Sequence, residues 1–299
     1  MIRRNSIFTW MQTQVSPTIL GKGIKACGEF GPEFDRPADW EGLGSKFAVA
    51  DAAISESEIR ILQGDLDQRE VRTFAFTDED YPKGLLSLRH PPPLIHVLGN
   101  IGRLNDPGFG ICGARNSSET GLTFAMQFGA LIAQLGVPEV SGYAKGVDTE
   151  AHLGSLRAGG STVVVLAEGI KHFRSKRSFA GIKDLGNRMT VVSEFSPNQM
   201  WSVGAAMQRN RTICGLSQAL VVVEANATGG TFNAGRECLS IGKPLFVVHY
   251  RHTTAMPEGN AALIKQGGIP ITSLDALRTE LLKTLAVKEA APKQMSLIA

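Results

Sequence analysis

The sequence predicts an α/β protein, an extended Rossmann-like parallel sheet with helices on both faces, together with a small helical N-terminal domain. Three observations predict it. Short continuous runs of Val, Ile and Leu recur from residue 94 onward, helical windows separate them, and turns bearing glycine or basic residues stand where the runs end. A strand covered on both faces reads as an uninterrupted apolar run, and alternation with helices produces βα units.

Residues 1–75 differ from the rest and are read as the helical N-terminal domain. Weak helical patterns there are broken by Gly28-Glu29-Phe30-Gly31-Pro32 and Glu41-Gly42-Leu43-Gly44, while 55–68 reads as a helix with Ser55 at the N-cap and Glu58 three residues on. The Rossmann-like core is assigned to 76–287. A short helix at 83–88 is stopped by Pro91-Pro92-Pro93, and the strand-like run 94–98 ends at Gly99-Asn100. Strands are then expected at 109–112, 139–140, 162–167, 190–193, 219–223 and 245–248, with helices at 118–135, 148–158 and 232–241. Residues 288–299 carry no periodic pattern and are expected to form a flexible tail.

Composition excludes some classes and leaves others open. The formal charge of +3 on 299 residues is too small to argue for a polyanion partner by itself, so any anion must be held by local arrangement. Cys27, Cys112, Cys214 and Cys238 lie far apart with no CxxC or Cys/His cluster, which predicts reduced thiols, no zinc and no other metal. Neither a signal peptide nor a run long enough for a membrane helix is apparent, so a cytoplasmic protein without membrane contact is expected.

In open α/β sheets, ligands bind outside the carboxyl ends of the strands. The first candidate turn is Gly113-Ala114-Arg115-Asn116-Ser117-Ser118, with Gly121 beyond it. Gly113 lets amides approach an anion, Arg115 offers a bidentate grip, and Ser118 caps a helix whose start favours negative charge. An ordinary tight turn with a solvated arginine accounts for the same residues. The second turn runs Ser141-Gly142-Tyr143-Ala144-Lys145-Gly146-Val147-Asp148, where Gly142 and Gly146 expose amides and Lys145 adds a point charge. Asp148 reads as a helix N-cap rather than an acid–base group, and His152, one turn on, as structural rather than catalytic. The third is Gln208-Arg209-Asn210-Arg211, ahead of an apolar strand; its arginines either line one side of a groove or fasten a loop with salt bridges. The fourth is Glu224-Ala225-Asn226-Ala227-Thr228-Gly229-Gly230-Thr231, where consecutive glycines at a helix start make an anion nest ending at Thr231. Taken together, the turns predict one sheet edge and an extended phosphate track. The basic run Lys171-His172-Phe173-Arg174-Ser175-Lys176-Arg177 either extends that track or is a solvated loop.

At these turns the sequence resembles the DNA-processing protein A family (DprA, also called Smf). The resemblance rests on Tyr81-Pro82 with Pro92-Pro93, on the Gly113–Ser118 turn, on Ser141-Gly142 through Ala151-His152, on Arg209-Asn210-Arg211, and on Glu224-Ala225 with Thr228-Gly229-Gly230-Thr231, in unbroken order over roughly 74–275. It implies an extended Rossmann-like fold that binds single-stranded DNA and often forms a homodimer; no enzymatic activity and no cofactor are expected. It also implies loading of a RecA-type recombinase during natural transformation. Carried over position by position, Arg115, Ser118, Ser141, Gly142, Lys145, Arg209, Arg211, Gly229 and Gly230 fall on the family's phosphate-contacting loops. The sequence departs from the pattern at Ala114, where the family has serine, at Thr228 through Thr231, at His172 through Arg177, where the family tends to have Tyr-Pro, and at His249-Tyr250-Arg251-His252 in place of Pro-Gly. No winged-helix module is expected after the core.

Two other functions use the same turns. One is a nucleotide hydrolase resembling the lysine-decarboxylase-like phosphoribohydrolases, with Glu224 or Glu237 as the acid–base group. The other is a sensor of nucleotide-derived ligands, which needs a closed pocket. A dinucleotide oxidoreductase is set aside, because no strand-linked Gly-x-Gly-x-x-Gly is followed by a ribose-binding acid.

Overall fold

The computed structural model describes residues 56–249 and 256–290. The expected N-terminal domain therefore lies outside the described residues, apart from helix α1 (Glu56–Gln68) and the strand that follows it. One nine-stranded sheet organises the chain, in the order β1-β2-β6-β5-β4-β3-β7-β8-β9. Its strands are β1 (Val71–Ala75), β2 (Leu94–Leu98), β3 (Gly108–Cys112), β4 (Glu139–Ser141), β5 (Thr162–Val165), β6 (Met189–Ser193), β7 (Ser217–Val222), β8 (Leu245–Val248) and β9 (Ile269–Ile271).

From β6 to β9 all neighbours are parallel. The sheet departs from the all-parallel expectation at one side, where β2 pairs antiparallel with β6 and β1 antiparallel with β2. It also begins earlier than expected, since residues 71–75 form its edge strand rather than part of a separate unit.

Alternation along the strands sends side chains to the two faces of the sheet. On one face Phe128, Leu131 and Ile132 of α3 (Glu119–Gln134), Val147 and Ala151 of α4 (Val147–Arg157), and Leu277 and Leu281 of α9 (Leu274–Ala290) pack with Phe109, Ile111, Val221 and Phe246. On the other, Leu85 of α2 (Lys83–Leu86), Ile213 and Leu216 of α6 (Val203–Leu216), Ala234 and Cys238 of α7 (Gly230–Ser240), and Leu263 of α8 (Glu258–Lys265) pack with Val163, Val165, Leu220 and Val222. A short helix α5 (Leu185–Arg188) precedes β6. Helices α3 and α4 approach closely: a β-carbon on Gly129 would come within 2.6 Å of the Ser155 amide nitrogen, and one on Gly154 within 2.8 Å of the Met126 carbonyl carbon. Helix α9 continues to Ala290, past the expected core boundary, and the rest of the expected tail, 291–299, lies outside the described residues.

Strand order reverses at β3, which pairs with β4 on one side and β7 on the other, with Gly110 facing both Val140 and Leu220. That makes the carboxyl ends of β3 and β7 the switch-point crevice where open α/β sheets bind ligands.

Candidate nucleic-acid interface

Three of the four candidate turns meet at this crevice. The turn after β3 begins α3, and Ser118 caps it as expected, its Oγ accepting from the Gly121 amide at 3.0 Å. The anion expected at this helix start is already supplied from within the chain. Glu224, just beyond β7, accepts from Ser117 Oγ at 2.6 Å, from the Ser118 amide at 2.9 Å, and from Ser118 Oγ. A carboxylate at a helix N-terminus satisfies orphan amides and the positive end of the dipole. Ser118 is thus engaged by Glu224, and the two turns are clamped together. The Ala114 amide adds a bond to the Glu224 carbonyl at 2.9 Å.

The turn after β4 wedges against the first. A β-carbon on Gly146 would lie 2.6 Å from the Arg115 carbonyl oxygen, and one on Gly113 would lie 2.8 Å from Cβ of Val147. Gly146 has φ +86°, which also favours glycine. It is Gly146, not Asp148, that occupies the N-cap position of α4; Asp148 sits in the first turn and accepts from the Ala144 amide at 3.1 Å, closing the loop. Tyr143 has φ +64° and is held there from outside: Lys176 Nζ donates to its carbonyl at 2.7 Å and to Thr149 Oγ1 at 2.7 Å, and lies 4.2 Å from the Tyr143 ring centroid. Phe173 and Phe179 flank the same ring.

Those contacts decide most of the basic run. Lys176 fastens a loop, Lys171 pairs with Asp65 at 2.5 Å, and Arg174 donates to the carbonyls of Lys171 and Phe173. Burial pulls the Lys176 ammonium below the usual lysine value, against Asp148 and Glu168 nearby. Lys145 and Arg115, by contrast, are exposed.

Two expected contacts are corrected by burial. Ser141 is fully buried and donates its hydroxyl to the Ile111 carbonyl at 2.7 Å, tying β4 to β3. Gly142 is buried, and a β-carbon on it would overlap the Arg209 guanidinium. Its lack of a side chain accommodates an arginine of this chain.

The third turn does not exist. Residues 208–211 are the middle of α6, and a strand begins only at Ser217. Two residues along a helix point about 200° apart, so Arg209 and Arg211 cannot line one wall. Arg209, 8% exposed, reaches the carboxyl ends of the strands and donates from Nη1 to the Val165 carbonyl at 3.2 Å; its buried Nε has no partner among the described residues. Burial pulls its guanidinium below the usual arginine value, opposed by Asp148, Cys112, Glu168 and Glu194. Arg211 is half-buried, and Asn210 donates to the Gly230 carbonyl at 3.0 Å, anchoring the start of α7.

The fourth turn is open. Gly229 (φ +111°) and Gly230 are exposed, and a β-carbon on either would meet nothing within 4 Å. Thr231, in the first turn of α7, is half-buried. His152 is structural as expected, with Nδ1 2.7 Å from Glu139 Oε2 and 2.6 Å from Thr162 Oγ1, all fully buried.

Sequence reasoning missed Trp201. It lies in the segment between β6 and α6, is 44% exposed, and carries the Arg115 guanidinium 5.3 Å from its ring centroid. A lone tryptophan in an aperiodic segment gives no pattern from which to place it. Among the described residues, no cluster of His, Cys, Asp or Glu is arranged to hold a metal, and no helix is long and apolar enough to cross a membrane.

The sequence profile of DNA recombination-mediator protein A matches residues 72–282. The DNA processing protein DprA of Streptococcus pneumoniae is 29% identical over 202 residues, 67% of this chain and 71% of that one. Protein Smf of Escherichia coli is 30% identical over 210 residues, 69% of this chain and 56% of that one, while Protein Smf of a Synechocystis strain is 27% identical with 52% of its length covered. In three dimensions the pneumococcal DNA processing protein A superposes with a TM-score of 0.74 at 22% identity, covering 94% of this chain and 99% of that one. DNA processing protein A of Helicobacter pylori, whose structure concerns its single-stranded DNA binding mode, gives 0.62 at 23% identity, covering 72% and 96%. These superpositions show the fold.

Proposed function

The chain belongs to the DNA recombination-mediator protein A family, and on that premise we propose that it binds the phosphate backbone of single-stranded DNA along the carboxyl edge of β3, β4 and β7. The observation that carries the reading is the convergence of three turns at the switch point: Gly113 against Val147, Gly146 against Arg115, and Glu224 against Ser117 and Ser118. Arg115 and Lys145 are exposed on two of these turns, and the loop that carries the open Gly229-Gly230 turn leaves the same edge after β7. Buried Arg209 beneath Gly142 adds positive charge under the edge without a solvated head. An extended polyanion matches this row better than a compact nucleotide does.

The protein acts as a binding module rather than an enzyme. Glu224, the first candidate for acid–base work, has both carboxylate oxygens engaged by Ser117 and Ser118, which supports a clamp instead of a proton shuttle. A role in passing the strand to a RecA-type recombinase is part of the same reading and is supported by the family's description as a recombination mediator. Homodimerisation is supported by exposed Ile269 on the edge strand β9 and exposed Leu282 and Val287 on the following helix α9; light scattering of Leu282→Glu against the unmodified protein tests it.

Equilibrium titration with oligo-dT and with other single-stranded sequences, at two salt concentrations, tests the main reading. Affinity is expected to fall steeply with salt and vary little with sequence. Stabilisation by mononucleotides, with no binding of oligo-dT, contradicts it.

A further inference from the structure

We propose that Trp201 is a stacking platform for a nucleobase, set beside the phosphate-holding Arg115, and that it is the part of the site that reads bases rather than phosphates. The inference rests on the single-stranded DNA reading and goes further, adding a contact that the glycine and arginine turns do not supply.

Trp201 is 44% exposed even with the Arg115 guanidinium over its ring, and its neighbours Met200 and Val203 are 70% and 67% exposed. Leaving three large apolar side chains of one short segment in water forgoes burial, and such patches on folded proteins mark surfaces that receive a partner. Charge fixes which partner. Arg115 belongs to the turn wedged against Gly146 and clamped through Ser117 and Ser118 to Glu224, so it stands on the edge proposed to hold phosphates. A base is joined to its phosphate through one sugar, and a strand gripped by Arg115 brings its base within reach of the ring.

The segment that bears Trp201 is tied down on both sides. The Gln199 amide donates to the Ser196 carbonyl at 2.8 Å, the Gly169 amide to the Gln199 carbonyl at 2.8 Å, and Ser202 caps α6 by accepting from the Ala205 amide at 3.0 Å. A backbone fixed on both sides of the ring loses little freedom on binding. Stacking on an aromatic face tolerates every base, which suits a protein that follows a strand without reading its sequence.

The test is fluorescence anisotropy with oligo-dT and with an abasic oligomer of the same length, which keeps the phosphates and lacks the bases. The unmodified protein is expected to bind oligo-dT about tenfold more tightly than the abasic oligomer. Trp201→Ala should remove that difference by weakening oligo-dT binding alone, with the salt dependence unchanged, and Trp201→Phe should retain most of it. Should Trp201→Ala not fold, quenching of intrinsic fluorescence by oligo-dT decides: it should be larger in the unmodified protein than in Trp201→Phe. Equal affinity of the unmodified protein for the two oligomers, or unchanged oligo-dT binding in Trp201→Ala, overturns the stacking platform and leaves phosphate binding intact. Binding of neither oligomer overturns both.

Discussion

A β-carbon on Gly142 would overlap the guanidinium of Arg209, whose Nη1 donates to the Val165 carbonyl at 3.2 Å. The absent side chain in one turn is therefore the space in which an arginine from a distant helix lies. Gly142→Ala should displace that guanidinium while keeping the fold, because the φ of Gly142 is open to other residues. Oligo-dT affinity is expected to fall by about 1–2 kcal/mol in Gly142→Ala and similarly in Arg209→Ala, through loss of a buried charge under the edge rather than of a direct contact. The double variant should lose no more than either single one, a double-mutant cycle that checks whether the two act through the same group.

Glu224 joins the turn after β7 to the turn after β3 through Ser117 and Ser118. Glu224→Ala should lower stability by about 2 kcal/mol, since a charged acceptor is lost and helix-start donors are left unpaired. Urea denaturation measures it. Ser117→Ala alone should cost less, because the Ser118 contacts remain.

The two open glycines separate fold from ligand. Gly229 has φ +111° and ψ −172°, a region almost closed to other residues, so Gly229→Ala should destabilise by about 1–3 kcal/mol. Gly230 has no such φ and open space around it; Gly230→Ala should fold normally and bind oligo-dT more weakly, the new methyl standing where the strand approaches. Thermal unfolding and titration of both variants check this.

His96 is fully buried in β2, its Nδ1 2.8 Å from Thr73 Oγ1, and burial lowers its pKa from 6.5 to about 3. The folded value lies below the unfolded one, so this stabilisation is complete above pH 6.5 and is lost as pH falls toward 3. Its contribution at pH 5 should be lower by about 2 kcal/mol than at neutral pH. Denaturant midpoints across that range measure the slope, and His96→Gln should flatten it.

The sequence revealed the fold where punctuation was sharp. Strand β3 and helix α3 were legible within a residue or two because Gly113 through Ser118 separates an apolar run from a periodic one. Helix α6 was not, since it ends at Leu216 and β7 begins at Ser217 with no turn between, so Arg209 and Arg211 read as a loop before a strand. The antiparallel direction of β2 was hidden for a different reason: a buried apolar run looks the same in either sense. At the site, the glycines were found but not their purposes. Gly113, Gly142 and Gly146 make room for Val147, Arg209 and the carbonyl of Arg115, whereas Gly229 and Gly230 face open space, and only packing distinguishes the two groups.

The salt dependence of oligo-dT binding in the unmodified protein, in Arg115→Ala, in Lys145→Ala and in the double variant tests the phosphate edge most directly. Each single variant should lose about 1–3 kcal/mol of binding while folding normally, as both side chains are exposed. The slope of log K against log salt should become shallower by about 0.7 per cation removed, and by about 1.4 in the double variant. An unchanged slope in the double variant, with binding intact, would contradict the account.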